Sequence, residues 1–439
     1  MIKRIAVGIV ALLVLLLVAV LILAWESAIA QQPVPAEDAF SQQQIDKGKM
    51  IAGLGNCQSC HTVDPERPYA GGRAFPTPFG SLYATNITPH PESGIGRWSE
   101  AAFIRAMREG VARDGSHLFP AFPYTHFTKV RDQDLQALYA YIMTREPVDA
   151  QAPENELAFP FNIRLLQAGW KLLFFEPGVW QPAEDKSDAW NRGEYLAEGL
   201  AHCSACHTPR NRFGAENKDQ GYNGAMVNNW YAPALSADKP LPVDWTQSEL
   251  YAYLRDGVST YHGVALGSMA DVVHQGLAIA DDDDIRALAT YFSDITGARP
   301  LEQTASQASG HITDARSRSM AVRRKDRGML NHGEQLFSNG CAACHYNSPD
   351  NPNLLRPALS LNSALNADNP VNLIRVTLEG VSNESGVDGV LMPGFAAWTN
   401  ADLAALFRFL RATHTDRPTW NDLEQHIERQ RSGVTMITE

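Results

Sequence analysis

Basic charge and free cysteine are both scarce in this chain. Its 439 residues contain 37 Lys and Arg against 49 Asp and Glu, a net charge of −12, which argues against a nucleic-acid partner. No Gly-rich phosphate loop, nucleophile elbow or paired-carboxylate pattern stands out, so we expect no intrinsic nucleotide, flavin or molybdopterin site and assign no catalytic residues. Hydrophobic residues make up 44% of the chain, which is enough to build globular cores.

All six cysteines lie in three Cys-x-x-Cys-His pentads, a pattern typical of c-type haem attachment. The two thiols would form thioethers with the porphyrin, and the adjacent imidazole would bind the iron. Structural zinc usually takes two such pairs close in sequence, whereas these pentads begin 146 residues (57 to 203) and 138 residues (203 to 341) apart. A disulfide framework would leave the three histidines unexplained. We therefore predict three covalently attached haems c, with thioethers at Cys57, Cys60, Cys203, Cys206, Cys341 and Cys344, and proximal ligands at His61, His207 and His345.

The same plan of helices surrounds each pentad. A helical pattern with an early glycine precedes it, a middle helix closes with a glycine, and a final helix carries apolar residues at i, i+3 and i+7. We predict an all-α fold of three tandem class I cytochrome c-type domains with an N-terminal transmembrane helix. The predicted segments are an anchor at 1–30, domains at 40–148, 189–298 and 331–415, a linker helix region at 149–188, a basic linker at 299–330 and a polar tail at 416–439.

The N-terminal segment is the most apolar part of the chain. Ile5 to Trp25 contains no charge, and such a helix would extend about 31 Å at ~1.5 Å per residue. Lys3 and Arg4 would stay in the cytoplasm, which places the segment at the inner membrane and the haem domains on the periplasmic side. A cleaved signal peptide is the alternative, because Ala28-Ile29-Ala30 resembles a cleavage site; we favour the anchor.

Two linkers separate the predicted domains. The first is apolar and aromatic, and we favour a helix packed between domains one and two over contact with a membrane. The second is rich in arginine, and we favour a solvated strap over a docking surface for an acidic partner.

The distal haem ligands are predicted from the loop before each final helix, where electron-transfer cytochromes c usually supply a methionine. Met392 and Met269 occupy this loop in the third and second domains. Phe122 stands there in the first domain and cannot bind iron. We favour His126 as the ligand, with Met107, Met143 or a five-coordinate iron as alternatives. A second imidazole favours Fe(III), so haem one should have the lowest potential.

Four further motifs resemble one known family. They are Thr85-Asn-Ile-Thr-Pro89, Gly94-Ile-Gly-Arg-Trp98, the stretch from Ala201 to Arg210, and Trp230-Tyr-Ala-Pro233. With the pentads, they resemble the tri-haem cytochrome c subunit of membrane-bound periplasmic dehydrogenase complexes. The resemblance implies a non-catalytic subunit that takes electrons from a catalytic dehydrogenase subunit, with or without a small iron–sulfur subunit, and passes them to ubiquinone.

Within that family, the implied partners are of three kinds. They are quinoprotein alcohol dehydrogenases, flavin-dependent sugar and sugar-acid dehydrogenases, and molybdenum hydroxylases that act on aldehydes or N-heteroaromatics. The stretch from Ala121 to Phe127 is similar to the molybdenum-associated branch, which we favour. Two rivals from other classes are a multi-haem peroxidase, with His117 and His126 as distal groups, and a periplasmic shuttle or terminal-oxidase cytochrome.

Overall fold

The computed structural model describes most of the chain after the N-terminal segment. The described residues are 4–5, 22, 24–238, 241–325, 331–345, 358–381 and 392–433. The chain divides into two compact units, one of Met1–Ala52 with Cys60–Gln181 and one of Gly53–Ser59 with Pro182–Glu439. The predicted boundaries between three domains stay a prediction. We use "copy" for each recurrence of the helical plan: residues 42–143, 188–296 and 332–414.

Helices dominate the described residues. The α-helices are α1 Gln42–Leu54, α2 Cys57–His61, α3 Glu100–Glu109, α4 Tyr124–Phe127, α5 Asp132–Met143, α6 Leu166–Phe174, α7 Asp188–Tyr195, α8 Ser204–His207, α9 Gln247–Asp256, α10 Ser268–Asp271, α11 Asp282–Thr296, α12 Leu301–Lys325, α13 His332–Gly340, α14 Ser363–Asn366, α15 Val371–Glu379, α16 Asn400–His414 and α17 Leu423–Arg431. Two π-helical turns, Leu196–Leu200 and Val272–Gly276, follow α7 and α10.

Three small antiparallel sheets accompany the helices. The first contains β1 Ala74–Thr77, β2 Gly80–Tyr83 and β3 Glu156–Leu157, with Thr77 opposite Gly80 at the β1–β2 turn. The second pairs β4 Ala225–Val227 with β5 Trp230–Ala232, and the third pairs β6 Val258–Ser259 with β7 Gly263–Val264. The β1–β2 and β4–β5 hairpins lie between the pentad and the middle helix of their copies, whereas β3 follows the last helix of the first copy.

The first and last helices of each copy cross at a glycine. Gly48 lies against the Ala137 carbonyl, and the same close approach joins Gly193 to Ala287 and Gly333 to Ala405. A Cβ at any of the three glycines would overlap the backbone of the last helix. The early glycine of the sequence pattern is therefore explained by backbone packing between two helices.

A polar contact accompanies each crossing. The residue before the glycine is Lys, Arg or His, and it contacts an aspartate in the first turn of the last helix. Lys47 lies 2.6 Å from Asp134, Arg192 binds Asp284 at 2.7 and 2.8 Å, and His332 Nε2 lies 2.5 Å from Asp402 Oδ1. The pair fixes the register of the two helices in all three copies.

The middle helices α3, α9 and α15 each end at a glycine with positive φ: Gly110 at 62°, Gly257 at 73° and Gly380 at 79°. After the first two glycines the chain returns across the helix end, where Leu118 N–H donates to the Gly110 carbonyl and Ala265 N–H to the Gly257 carbonyl, both at 2.7 Å. In the third copy, Val381 pairs with Met392. These return loops carry the predicted distal ligands.

Two parts of the fold-class prediction are wrong. The fold is not all-α, because three small sheets are present; strands of two to four residues are too short to show a period-two pattern. The transmembrane helix is also not found: among the described residues, no helix is both long and apolar enough to cross a membrane. The 25-residue α12 is long but charged, and α6 has nine residues. Residues 6–21 and 23, most of the predicted span, lie outside the described residues.

The linker regions also differ from expectation. Helix α6 forms within the first linker, but none of its side chains is buried, and Leu172 and Leu173 are 80% and 73% exposed. Most of the second linker is helix α12, which buries Ala308 and Ile312 in a cluster with Val243, so the predicted solvated strap is wrong. In the polar tail, α17 buries Leu423 and Ile427 against the core of the third copy.

Candidate haem attachment sites

The pentads occupy short helices or turns directly after the first helix of each copy. The first pentad forms α2, and the last four residues of the second form α8. The third lies in a turn where the His345 N–H donates to the Cys341 carbonyl at 2.9 Å. None of the six cysteines forms a disulfide, so no disulfide competes with thioether formation.

Two of the three proximal histidines are held by a backbone carbonyl. His61 Nδ1 lies 2.7 Å from the Thr85 carbonyl, and His207 Nδ1 lies 2.8 Å from the Pro233 carbonyl. A carbonyl oxygen only accepts, so each Nδ1 must carry the proton, and each Nε2 keeps its lone pair for a metal. Burial lowers the pKa of both imidazoles, which favours the neutral form that binds iron. These donor sets fit haem c.

The acceptor carbonyls belong to the sequence motifs that suggested a family. Thr85 begins the 85–89 motif, and Pro233 ends the 230–233 motif. Each motif therefore orients an imidazole through its backbone, a role that does not depend on the side chain at the acceptor position. Residues 346–357, which follow the third pentad, lie outside the described residues, and no corresponding acceptor is assigned to His345.

Sequence reasoning missed a pair of hydrogen bonds that the first two copies share next to the proximal histidine. The threonine after each histidine accepts a hydrogen bond from a tyrosine N–H at 3.0 Å, Tyr69 to Thr62 and Tyr222 to Thr208. Two residues later, a glycine N–H donates to the histidine carbonyl, at 2.7 Å from Gly71 and 2.8 Å from Gly224. Thr-(x)n-Tyr-x-Gly was the available signal. The unequal spacing, 62 to 69 against 208 to 222, concealed it.

Gly71 brings this loop against the carbonyl that holds His61. Its φ is +79°, and a Cβ there would lie 2.5 Å from the Thr85 carbonyl carbon. Only glycine tolerates both the left-handed backbone and the close approach. The position of the His61 imidazole therefore depends on a glycine ten residues away in sequence.

Buried Asn86 stabilises the turn that follows Thr85. Its Oδ1 accepts from the Thr88 N–H at 2.9 Å and the Thr88 hydroxyl at 2.8 Å, and its Nδ2 donates to the carbonyls of Val148 at 2.8 Å and Ala150 at 3.1 Å. Gly94 and Gly96 lie against the backbone of this turn. The 85–89 and 94–98 motifs thus form one packed loop that presents the Thr85 carbonyl.

The return loops place the predicted distal residues differently. Leu118 and Ala265 are equivalent, because each donates its N–H to the glycine that ends the middle helix. Phe122 follows Leu118 by four residues, and Met269 follows Ala265 by four. Phe122 therefore occupies the position of Met269. Met392 instead pairs directly with Val381, the position that His117 and Val264 hold in the other copies. Met392 and Met269 are therefore not equivalent in register, and both stay predictions as ligands.

The histidines of the first return loop have different surroundings. His126 lies in α4 and is only 4% exposed; its role as a ligand stays a prediction. His117 is engaged at both ring nitrogens, with Nε2 2.8 Å from the Ala24 carbonyl and Nδ1 3.0 Å from Lys171 Nζ. His117 therefore has no ring nitrogen left to act as a distal group, which removes one support of the peroxidase alternative. Met107 and Met143 are buried in α3 and α5.

Comparison with known proteins identifies the class. The cytochrome c family profile matches residues 45–146 and 330–414. The chain is 43% identical over 94% of its length to a nicotinate dehydrogenase subunit of Pseudomonas putida, of which it spans about a third (34%). It is 34% identical to the fructose dehydrogenase cytochrome subunit of Gluconobacter japonicus, over 86% of this chain and 79% of that one. It is also 33% identical to the gluconate 2-dehydrogenase cytochrome c subunit of Pantoea cypripedii, over 86% and 87%.

The fold and the paired thiol–imidazole sites define a cytochrome c with covalently bound haem. The chain belongs to the family of cytochrome c subunits of dehydrogenase complexes. It is an electron-transfer subunit that works with a catalytic dehydrogenase partner, and it is not the catalytic subunit itself.

Proposed function

We propose that the chain binds three haems c and relays electrons from a molybdenum-containing dehydrogenase that acts on an N-heteroaromatic or aldehyde substrate to ubiquinone. The observation that carries the haem count is the recurrence of one frame: each pentad follows a helix whose glycine crosses the last helix of its copy. Haem c supplies a one-electron Fe(III)/Fe(II) couple at each pentad. At the first two pentads, backbone carbonyls hold the imidazoles of His61 and His207 in the metal-binding tautomer.

The kind of partner is supported by the comparison with the nicotinate dehydrogenase subunit, because the similarity extends over 94% of this chain. The stretch from Ala121 to Phe127, which lacks a methionine, points in the same direction. The proposal includes a small iron–sulfur subunit beside the catalytic subunit. A quinoprotein or flavin partner is the alternative, and the fructose and gluconate dehydrogenase subunits support it.

We place the haem domains on the periplasmic side of the inner membrane. All six cysteines belong to pentads, which fits an oxidising compartment. Exposed apolar side chains of the first unit support contact with the bilayer that holds ubiquinone. They are Trp25, Phe159, Leu172 and Leu173, which are 76%, 81%, 80% and 73% exposed.

Purification of the complex tests the partner. We expect the chain, expressed at native level, to copurify with a large subunit that contains molybdenum by elemental analysis and with a small subunit that contains iron and acid-labile sulfide. Pyrroloquinoline quinone or flavin in the large subunit would refute the molybdenum assignment. A haem-to-protein ratio of three by pyridine haemochrome assay tests the haem count, and a ratio of two would exclude it.

The membrane contact is tested separately. Leu172→Glu/Leu173→Glu should reduce cosedimentation of the full chain with vesicles that contain ubiquinone, and should slow ubiquinone reduction while haem content is unchanged. The matched control is Leu301→Glu, at a leucine that is 50% exposed on α12. Equal binding by the double variant and the control would exclude the α6 surface.

A further inference from the structure

The first helix of the second copy contains an extra residue before its pentad. The glycine precedes the first cysteine by nine residues in the first copy (48 to 57), by ten in the second (193 to 203) and by eight in the third (333 to 341). The added length of the second copy is taken up where α7 runs into the π-helical turn Leu196–Leu200. There the Ala201 N–H donates to the Leu196 carbonyl at 2.8 Å, five residues back. Such turns inside helices often lie at functional sites.

The π-helical turn presents Glu198 to two buried tyrosines. The Tyr222 hydroxyl donates to Glu198 Oε1, and the Tyr291 hydroxyl donates to the same oxygen at 3.1 Å. The tyrosines are 7% and 5% exposed and belong to separate elements, since Tyr291 lies on α11 and Tyr222 precedes β4. One carboxyl oxygen of Glu198 therefore accepts two hydroxyl hydrogen bonds. Burial, and then Glu198, raises the pKa of both phenols.

The backbone beside Glu198 contacts the second pentad. The Cys203 N–H donates to the carbonyl of Ala197, the neighbour of Glu198, at 2.9 Å. Tyr222 adds a second link, because its N–H donates to the hydroxyl of Thr208, the neighbour of His207. A negative charge close to a haem stabilises Fe(III) relative to Fe(II), because the oxidised centre carries one more positive charge.

We propose that Glu198 is a redox-tuning residue that lowers the reduction potential of the haem at Cys203 and Cys206. The inference rests on the proposed function in one respect, that a haem is attached to this pentad. The carboxylate contacts neither iron nor substrate, and it acts through its charge.

The experiment is a redox titration of the full-length haem-loaded chain, with the individual haem signals resolved by electron paramagnetic resonance. In Glu198→Gln, the potential of one redox step should rise by about 59 mV, which is a tenfold change in the Fe(II)/Fe(III) ratio. The potentials of the other steps should not change. Glu198→Asp keeps the charge, so the potential of this step should stay close to its wild-type value. Asp219→Asn, which removes an exposed carboxylate of the same copy, should move no step.

Two results separate the possible failures. A Glu198→Gln chain with full haem content and unchanged potentials would overturn the tuning role, even if its thermal stability fell. A wild-type chain with no haem at the second pentad would overturn the proposed function instead. Where the single variant folds poorly because a neutral amide is a weaker acceptor for two hydroxyls, Glu198→Gln/Tyr222→Phe removes one donor together with the charge. It should show the same rise in potential, and no rise in that folded variant would count equally against the inference.

Discussion

Asn372 binds the backbone of Tyr231 at both of its polar groups. Its Nδ2 donates to the Tyr231 carbonyl at 2.7 Å, and its Oδ1 accepts from the Tyr231 N–H at 2.8 Å. The amide of Asn372 thus pairs with the backbone of β5 as a neighbouring strand would. Tyr231 lies two residues before Pro233, whose carbonyl orients His207. One turn later on α15, the Arg375 guanidinium lies 4.4 Å from the centre of the Trp230 ring. Helix α15 of the third copy therefore supports the hairpin that orients a histidine of the second.

Asn372→Ala should destabilise the β4–β5 hairpin, because it leaves two backbone groups of Tyr231 without their partner. We expect a loss of about 1–3 kcal/mol, seen as faster hydrogen exchange of the hairpin amides. The control is Asn421→Ala, at an exposed asparagine, which should leave the exchange unchanged. Equal protection of the hairpin in both variants would show that α15 does not support it.

Gly71 and Gly72 form a matched pair for testing the loop that holds His61. Both have positive φ, 79° and 90°, but a Cβ at Gly72 would meet only Val63, at 3.7 Å, whereas one at Gly71 would meet the Thr85 backbone at 2.5 Å. Gly72→Ala should therefore show only backbone strain of about 1–2 kcal/mol. Gly71→Ala should lose more folding stability than Gly72→Ala. It should also perturb the axial ligation of haem one, measured by its visible and near-infrared spectra. Identical spectra for the two variants would contradict the role of the Thr85 carbonyl.

Much of the frame was predictable from sequence because it depends on local signals. The apolar stripe of Leu403, Leu406 and Leu410 predicts a helix that the structure confirms as α16, which begins with a capping box formed by Thr399 and Asp402. The glycines before each pentad were recognised, but not their reason, because Gly193 and Ala287 meet only when two distant helices cross.

The proximal acceptors could not be predicted. A backbone carbonyl such as that of Thr85 or Pro233 leaves no residue-type signal in the sequence. Helix α12 was missed for a different reason. Apart from Ile312, its buried residues are small or polar, such as Ala308 and Thr304, and they give only a weak hydrophobic pattern among many arginines.

Lys171 gives a pH dependence whose sign can be stated. Its Nζ donates to the carbonyls of Glu109 and Gly110 at 2.5 and 2.9 Å, and burial lowers its pKa from 10.5 to about 8 although Glu26 and Glu109 act in the other direction. Between about pH 8 and 10.5 the unfolded chain binds more protons than the folded chain, so the contribution of Lys171 to stability rises with pH in this window.

The measurement is the difference in urea-unfolding free energy between wild type and Lys171→Met. This difference should be constant below pH 8 and should grow in favour of wild type up to pH 10.5. Lys186→Met is the control, because a hydrogen bond to Asp294 raises the pKa of Lys186, and its contribution declines only above pH 10.5. A difference for Lys171→Met that is flat from pH 7 to 10.5 would be inconsistent with a lowered pKa of this half-buried amine.

The distal ligand of haem one decides the order of the potentials. His126 is buried in the return loop, and Phe122 holds the position that Met269 has in the second copy. With imidazole on both faces, haem one should have a lower reduction potential than the other haems. His126→Met should raise this potential by at least about 59 mV, which is a tenfold change in the Fe(II)/Fe(III) ratio. Met107→Leu is the control and should change nothing. A shift in Met107→Leu with none in His126→Met would transfer the ligand role to Met107, and haem one titrating highest in wild type would refute imidazole ligation.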